Sequence, residues 1–165
     1  DFFRTVLSGG SDFIPIEEEK RHIESYLKIQ KFRYKDQFEY EFQVDESCLG
    51  YYCNKITLQP IIENAIYHGL KYKESKGLLQ VKGFMKDGNA VLQVIDNGVG
   101  MDEETLSHIY DKHKVNYHSN GVGVYNVQKR LQLYYGESYG ITYESEKGVG
   151  TTATITIPGM QEESI

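Results

Sequence analysis

Cysteine, basic residues and long apolar runs are all scarce in this sequence, and each shortage excludes a class of protein. Only two cysteines occur, Cys48 and Cys53, and their spacing matches neither a CxxC pair nor a zinc site. We therefore expect two reduced thiols. Lys and Arg number 18 against 24 Asp and Glu, a balance that argues against a general nucleic-acid binder. No apolar run approaches the ~18 residues of a membrane span, and the first residues do not resemble a signal peptide.

The composition that remains is that of one folded domain. The chain has 165 residues, of which 39% are hydrophobic and 25% charged, which is typical of a globular protein with a substantial core. It begins at Asp1 without a methionine and ends in polar residues, so we expect a piece of a longer protein. We divide it into a leading segment (1–14), one domain (15–158) and a C-terminal tail (159–165).

Hydrophobic periodicity predicts an α+β fold. After Pro15, one apolar face recurs at helical spacing, and it consists of Ile16, Ile23, Leu27, Gln30 and Tyr34. Strict alternation at 38–44 predicts a half-buried strand. The further predicted elements are a helix from Leu58 towards Gly69, a hairpin of 78–84 and 90–95, a helix at about 122–135 and a hairpin of 141–145 and 152–157. Consecutive hairpins with few crossovers favour a two-layer sandwich, with a mostly antiparallel mixed sheet and helices on one face.

A polar helix face in the segment LQPIIENAIYHG (58–69) is a candidate metal-binding element. Its apolar residues recur at helical spacing, which leaves Glu63, Asn64, Tyr67 and His68 on the other side. Asn64 and His68 are four residues apart and can face the same cleft. An asparagine carbonyl oxygen suits Mg²⁺, whose remaining ligands are often phosphates. The alternative is a helix whose exposed face is simply polar.

The segment VIDNGVGM (94–101) places a carboxylate at the end of an apolar strand. Gly98 and Gly100 follow Asp96 and allow the backbone to approach a ligand closely. An aspartate here can accept a hydrogen bond from an exocyclic amine, which distinguishes adenine from guanine. The alternative is an ordinary Asp-Asn-Gly turn.

Two more glycine pairs are candidates for ligand contact. Gly121 and Gly123 lie at the start of the last predicted helix, where backbone N–H groups and the helix dipole favour an anion. This segment is not a Walker A loop, because no GK[ST] follows, and it lacks the strand context of a dinucleotide fingerprint.

Gly148 and Gly150 precede Thr151, whose hydroxyl could reach a base or an ordered water. The alternative for that pair is a tight hairpin.

Taken together, the four segments resemble one superfamily. ENAxxHG, DNGVGM, GVGVYNVQKRL and GVGT are similar, in order and spacing, to the N, G1, G2 and G3 boxes of the GHKL ATP-binding proteins. These include histidine kinases, type II topoisomerases, the chaperone of ninety kilodaltons and mismatch-repair ATPases. LQPIIENAIYHG, with EEEKRHIESYLKIQKFRY before it, resembles in particular the LytS/YesM-type sensor histidine kinases of bacterial two-component systems. The resemblance covers roughly 15–158 and implies a Bergerat-type sandwich that binds ATP and Mg²⁺.

The resemblance implies a role for each matching residue. Asn64 matches the ligand of the Mg²⁺ that bridges the ATP phosphates, and Asp96 matches the carboxylate that reads adenine. The other matching positions form the adenine wall, the lid hinge, the G2 box and the G3 box; they are Gly98, Gly100, Gly121, Gly123, Asn126, Gly148, Gly150 and Thr151. Residues 101–120 match the ATP lid, a segment that closes over bound nucleotide.

One position departs from the family pattern. Many histidine kinases have Lys or Arg three residues after the magnesium-binding asparagine, where it touches phosphate, whereas this chain has Tyr67. The neutralising charge must then come from elsewhere, and the candidates are His68, Lys71, Lys112 and Lys114.

Three functions stay open within this resemblance: a histidine autokinase, a hydrolysing ATPase and a nucleotide-binding module without transfer activity. The hydrolases of the superfamily have a water-activating Glu one helical turn before the asparagine, and here that position is Pro60, which cannot act as a base. This favours phosphoryl transfer to a protein. Glu63 is the candidate catalytic residue, because it could polarise the acceptor imidazole.

The resemblance also implies partners outside this sequence. In LytS/YesM kinases the acceptor histidine lies in a motif like PHFLYN on an upstream dimerisation helix, and nothing in residues 1–34 matches that motif. We expect transfer of the γ-phosphoryl group to such a histidine, for relay to a response regulator. The implied parent is a membrane-anchored bacterial homodimer with this chain in its cytoplasmic portion. We expect this part to contact neither nucleic acid nor a membrane.

Overall fold

The computed structural model, which describes residues 12–109 and 121–162, contains both strands and helices. The strands are β1 (Phe13–Pro15), β2 (Phe38–Val44), β3 (Tyr52–Asn54), β4 (Gly77–Lys86), β5 (Asn89–Asp96), β6 (Gly140–Glu146) and β7 (Gly150–Pro158). The helices are α1 (Ile16–Arg33), α2 (Glu46–Leu49), α3 (Leu58–Asn64), α4 (Glu103–Ser107) and α5 (Gly121–Tyr135). A π-helical turn (Ala65–Leu70) continues α3 directly.

The main sheet has five strands in the order β2-β4-β5-β7-β6. β2 pairs with β4 in parallel, and the other neighbours are antiparallel, so the sheet is mixed. Both predicted hairpins are confirmed, as β4–β5 and as β6–β7. At the first turn Asp87 and Gly88 have φ of 52° and 79°, the left-handed pair that a two-residue hairpin turn requires. The α+β sandwich is thus the fold that the sequence predicts.

One hydrophobic core lies between the helices and one face of the sheet. α1 buries Ile16, Ile23, Leu27 and Gln30, which confirms these members of the predicted stripe, and Tyr34 packs against the core while half-buried. The other largest fully buried side chains are Phe38, Ile61, Ile62, Ile66, Leu70, Leu79, Leu92, Leu131 and Ile155. Alternate residues of β4 are buried, because the second face of the sheet is more exposed. This core fixes α3 over the carboxyl end of β5, where Asp96 lies.

A second, two-stranded sheet is an element that the sequence analysis does not predict. β1 and β3 pair antiparallel, with Phe13 opposite Asn54 and Pro15 opposite Tyr52. Three residues are too few to show a period of two, so neither strand has a sequence signal. The pairing joins the start of α1 to the residues just before α3.

Candidate functional site

A pocket lies between α3 with its π-helical turn on one side and the sheet on the other. It holds about 340 Å³ of space, part of it open to solvent. Its lining consists of Ile61, Asn64, Ala65, His68, Gly69, Val94, Asp96, Gly100, Met101, Tyr143, Thr151 and Ala153. Segments that are distant in sequence thus converge on one hollow, which mixes apolar walls with a few polar groups, as ligand pockets do.

Asp96 is the buried charged group of this pocket. It is the last residue of β5, is only 5% exposed and pairs across the sheet with Thr151 of β7. Its Oδ1 accepts a hydrogen bond of 2.9 Å from the backbone N–H of Gly98. The carboxylate is therefore held in one orientation and keeps acceptor capacity for a ligand.

Burial shifts the acidity of this carboxyl. Removal from water disfavours the charged form and raises the pKa of Asp96 from 3.8 to about 6, although backbone N–H groups of Gly98 and Thr151 oppose the shift. The group is still largely ionised at pH 7. A buried, perturbed carboxyl in a pocket is a marker of a functional site.

The raised pKa predicts a pH-dependent cost in stability. Because folded Asp96 holds its proton more tightly than the unfolded chain, its contribution to the unfolding free energy falls as pH rises from about 4 to about 6. A shift of this size corresponds to about 3 kcal/mol. We expect Asp96→Asn to remove this cost, so that the variant gains stability over the parent between pH 4 and pH 7. Urea denaturation of both proteins across that range measures the difference.

The matched control for that experiment is Asp45→Asn, which removes an equal charge from an exposed site. Its stability difference from the parent, subtracted at each pH, leaves the part of the Asp96→Asn difference that arises from burial. If no pH-dependent part remained for Asp96→Asn, the buried carboxyl with a raised pKa would be contradicted.

Backbone contacts hold the loop after β5 against the π-helical turn. The Val99 N–H donates to the Gly69 carbonyl at 3.2 Å, and the Gly148 N–H donates to the Val99 carbonyl at 2.7 Å. A Cβ on Gly69 would lie 2.7 Å from Asp96 Oδ1, so only glycine fits beside the carboxylate. These contacts fix the distance between the π-helical turn and the loop after β5, beside Asp96.

Asn64 closes α3 on the other side of the pocket. It is 8% exposed, and its side-chain amide hydrogen-bonds no other residue within 12–109 and 121–162. A buried amide without a protein partner costs free energy unless something else binds it. Its oxygen is therefore available to a ligand or a hydrated cation.

His68 also lines the pocket, one turn beyond Asn64. Burial of the ring, and secondarily the charge of Lys71, lower the pKa of His68 below its usual 6.5. The imidazole is therefore neutral at pH 7 and offers one donor and one acceptor.

The structure brings together part of the predicted set. Asn64, His68, Asp96, Gly100 and Thr151 line the pocket. Two more predicted glycines contact Asp96 itself. The N–H of Gly98 donates to the Asp96 carboxylate, and the Cα of Gly150 faces the Asp96 backbone carbonyl.

Three of the predicted residues lie away from the pocket, and they are Gly123, Asn126 and Glu63. Gly121 is the first residue of α5, Gly123 packs on Pro60, and Asn126 is exposed on that helix. Glu63 lines a separate hollow between α1 and α3, and its Oε1 accepts a hydrogen bond of 3.2 Å from Gln59 Nε2. The helix turns it away from Asn64, so the structure does not bring the predicted catalytic carboxylate to the pocket. The candidate cations Lys112 and Lys114 lie outside the described residues.

The apolar lining is what the sequence analysis misses. Val94 and Ala153 lie two residues from Asp96 and Thr151 along their strands, so the period of two could have placed them on the same face. Met101 follows Gly100 directly and is the last residue of the predicted ligand-binding segment VIDNGVGM. Tyr143 of β6 carries no such signal, because its place depends on how β6 pairs with β7.

Comparison with known families assigns the fold and covers the segments that form the pocket. The family described as histidine kinase-, DNA gyrase B-, and HSP90-like ATPase matches residues 53–161, which include every segment that lines the pocket. The chain belongs to this family. A second family, described as histidine kinase, matches residues 1–38. The resemblance inferred from the four glycine- and asparagine-containing segments is thereby confirmed.

Curated relatives of this family member are sensor kinases. The sensor histidine kinase YesM of Bacillus subtilis is 31% identical over 151 residues, which cover 92% of this chain and 25% of YesM. The sensor protein LytS of Oceanobacillus iheyensis is 34% identical over 139 residues, or 82% of this chain and 24% of LytS. The chain therefore spans about a quarter of the length of these relatives.

Solved structures share the fold at lower identity. The nucleotide-free catalytic domain of histidine kinase ThkA superposes with a TM-score of 0.70 at 14% identity, over 90% of this chain and 97% of that domain. The mycobacterial sensor histidine kinase MprB gives 0.64 at 18% identity, over 90% and 97% of the two chains. The family member described here thus has the fold of histidine kinase catalytic domains. Among its described helices, none has the length and apolarity to cross a bilayer.

Proposed function

We propose that this chain is the ATP-binding catalytic domain of a sensor histidine kinase of the LytS/YesM type, and that the pocket beneath α3 is its nucleotide site. The observation that carries the proposal is that one pocket holds both a buried, ionised Asp96 and an Asn64 amide that has no partner among the described residues. One group suits the base of ATP and the other suits the phosphate end. Membership in a family of ATPases supports this assignment.

The chemistry of the pocket fits adenine at its floor. The Asp96 carboxylate would accept a hydrogen bond from the exocyclic amine of adenine, whereas guanine presents a carbonyl oxygen that the carboxylate repels. Thr151, opposite Asp96 in the sheet, offers a hydroxyl, and it is held by a 2.7 Å contact between its Oγ1 and Ser145 Oγ. Ile61, Val94 and Ala153 supply apolar walls for the flat ring. Gly98, Gly100 and Gly150 let the backbone lie close around it.

The donor set also fits Mg²⁺ at the phosphate end. The Asn64 amide oxygen is a hard ligand without a competing partner among the described residues, and it would hold a magnesium ion together with phosphate oxygens. When bound, the ion would neutralise charge on the phosphates. We further propose that Gly121 and Gly123, at the start of α5, lie beside the phosphates once the lid has closed, with Asn126 on the same helix.

Phosphoryl transfer is the activity we propose over hydrolysis. Pro60, in the first turn of α3, occupies the place of the water-activating glutamate, and Glu63 lines the hollow between α1 and α3 rather than the pocket. Since neither residue places a carboxylate base at the pocket, water is poorly activated and an external acceptor is favoured. The acceptor would be a histidine on a dimerisation domain of the parent, and a response regulator would receive the phosphoryl group. We propose a membrane-anchored homodimeric parent that keeps this part in the cytoplasm.

Substitution of Asn64 tests the metal assignment. Calorimetry should show that the parent chain binds ATP more tightly with Mg²⁺ than without it. Asn64→Ala should lose about tenfold of that magnesium-dependent affinity, since one hydrogen bond or ligand contact to a charged group contributes about 1.5 kcal/mol. Binding of adenosine, which has no phosphate, should be unchanged.

Gln59→Ala is the matched control. It removes an amide from the same helix, but this amide donates to Glu63 and does not line the pocket. Equal losses in both variants would contradict a metal-binding role for Asn64. Rapid release of inorganic phosphate by the parent chain alone would favour the hydrolase instead of the kinase.

A further inference from the structure

We infer that Ser145 strengthens the base preference of the pocket by fixing the direction of the Thr151 hydroxyl. The inference rests on the proposed function and adds to it a positioning residue for recognition of the base. Ser145 acts through Thr151, because Thr151 lines the pocket and Ser145 itself does not. The inference is carried by the three hydrogen bonds of the serine hydroxyl and by the place of Thr151 in the sheet.

Three segments around the pocket meet at the Ser145 hydroxyl. Its Oγ accepts a hydrogen bond of 2.8 Å from the Met101 N–H and donates one of 3.0 Å to the Gly150 carbonyl. Its third contact, at 2.7 Å, is with Thr151 Oγ1. One side chain of β6 thus joins the loop after β5 to the start of β7.

The capacity of a hydroxyl group decides the direction of the third hydrogen bond. A serine hydroxyl donates one hydrogen bond and accepts two. The Gly150 carbonyl can only accept, so it takes the one Ser145 proton, while the Met101 N–H can only donate. The bond between the two hydroxyls must then be donated by Thr151. The Thr151 proton therefore points at Ser145, and a ligand meets only the lone pairs of the Thr151 oxygen.

The pocket consequently presents two hydrogen-bond acceptors side by side. Asp96 and Thr151 are direct partners in the pairing of β5 with β7, and both line the pocket. The Asp96 carboxylate is largely ionised at pH 7, so it also accepts and does not donate. Two neighbouring acceptors favour a base edge that brings protons, such as the amino group of adenine. They disfavour the carbonyl oxygen that hypoxanthine carries at the same position.

Removal of the Ser145 hydroxyl would free the Thr151 hydroxyl to turn. Its proton could then point into the pocket and be donated to a carbonyl oxygen, so Thr151 would serve either kind of base. Asp96 would still favour the amine, and it contributes the larger part of the preference because hydrogen bonds to a charged group are the stronger ones. Ser145 thus accounts for the smaller part.

The test compares ATP with inosine triphosphate by calorimetry on the whole chain, because the two nucleotides differ only at this edge of the base. Ser145→Ala should lower the preference for ATP about fivefold, the value of one hydrogen bond between neutral groups. Ser145→Thr, which keeps a hydroxyl at this position, should retain the parental preference. Thr142→Val is the matched control, since it removes an exposed hydroxyl from the same strand, and it should behave as the parent does.

A double variant separates positioning from a general structural role. In the Thr151→Val background no hydroxyl is left to orient, so adding Ser145→Ala should leave the preference of that background unchanged. A serine with only a structural role would affect both nucleotides by the same factor, so its removal would leave the ratio of affinities at the parental value. If Ser145→Ala does not fold, Ser145→Cys should show the same lowered preference, since a thiol bonds weakly in nearly the same space.

The outcomes separate this inference from the proposed function. If the parent prefers ATP and Ser145→Ala keeps that preference within twofold, the inference is wrong and the nucleotide site stands. A further fivefold fall on adding Ser145→Ala to Thr151→Val would show that Ser145 does not act through Thr151, which overturns the inference as well. If the parent binds neither nucleotide, both the site and the inference fail.

Discussion

Asp96→Asn should abolish the preference of this chain for ATP over GTP and weaken ATP binding by 10- to 100-fold. An asparagine amide presents a donor where the carboxylate presents an acceptor, so it opposes the exocyclic amine of adenine and accommodates the carbonyl oxygen of guanine. Loss of a hydrogen bond to a charged group is worth about 1.5–3 kcal/mol, which corresponds to this range. Competition between ATP and GTP for a fluorescent nucleotide measures the preference.

The stability expected for this variant makes a loss of binding interpretable. Since burial raises the pKa of Asp96, its replacement by a neutral amide should stabilise the folded chain at pH 7. A variant that is more stable and yet binds ATP poorly has lost recognition rather than structure. An unchanged preference for ATP in Asp96→Asn would show that another group reads the base.

Gly98→Ala should destabilise the fold by about 3 kcal/mol and weaken ATP binding at least tenfold. A Cβ at this position would lie 2.6 Å from Gly69 Cα, a backbone atom that cannot rotate aside. The loop and the π-helical turn would have to separate, which strains or breaks the Gly98 N–H bond to Asp96 and the Val99 N–H bond to Gly69. Overpacking of this kind costs about 1–3 kcal/mol. Urea denaturation measures the stability, and calorimetry measures the binding.

The control is Gly50→Ala. An added Cβ there meets no atom within 4 Å, and Gly50 has an ordinary φ of −84°. This variant should keep both the stability and the nucleotide affinity of the parent. If Gly98→Ala matched it, the close approach of the loop to the π-helical turn would not shape the pocket.

Much of the fold could be predicted because local signals agree with the tertiary structure. Helix α1 begins directly after Pro15 and buries the predicted stripe, and α5 ends at Tyr135, where the predicted helix ends. At the turn of the first predicted hairpin, Asp87 and Gly88 adopt the left-handed geometry that these residue types favour. These features depend on neighbours within a few positions, which a single sequence displays.

Features that depend on distant contacts could not be predicted. The parallel pairing of β2 with β4 and the small β1–β3 sheet join segments across the chain without any local pattern. Nor does Thr57, directly before α3, cap that helix with its side chain, because its hydroxyl donates to the Asn54 carbonyl instead. The π-helical turn likewise has no sequence signal, although it brings Gly69 to Asp96 and Lys71 over Tyr67.

The candidate site was predictable where single residues carry the chemistry. Asp96, Asn64 and Thr151 stand out by residue type and spacing, and the structure gathers them in one pocket. Glu63 was predicted from its place beside Asn64, but neighbours in a helix point about 100° apart, and this carboxylate faces the hollow beside α1.

The position of the base in a complex with ADP and Mg²⁺ tests the central claim most directly. A crystal structure of that complex should show the adenine amine within hydrogen-bond distance of the Asp96 carboxylate and the phosphates extending past Asn64. Nucleotide bound in the hollow between α1 and α3, or no binding at millimolar ADP, would contradict the account.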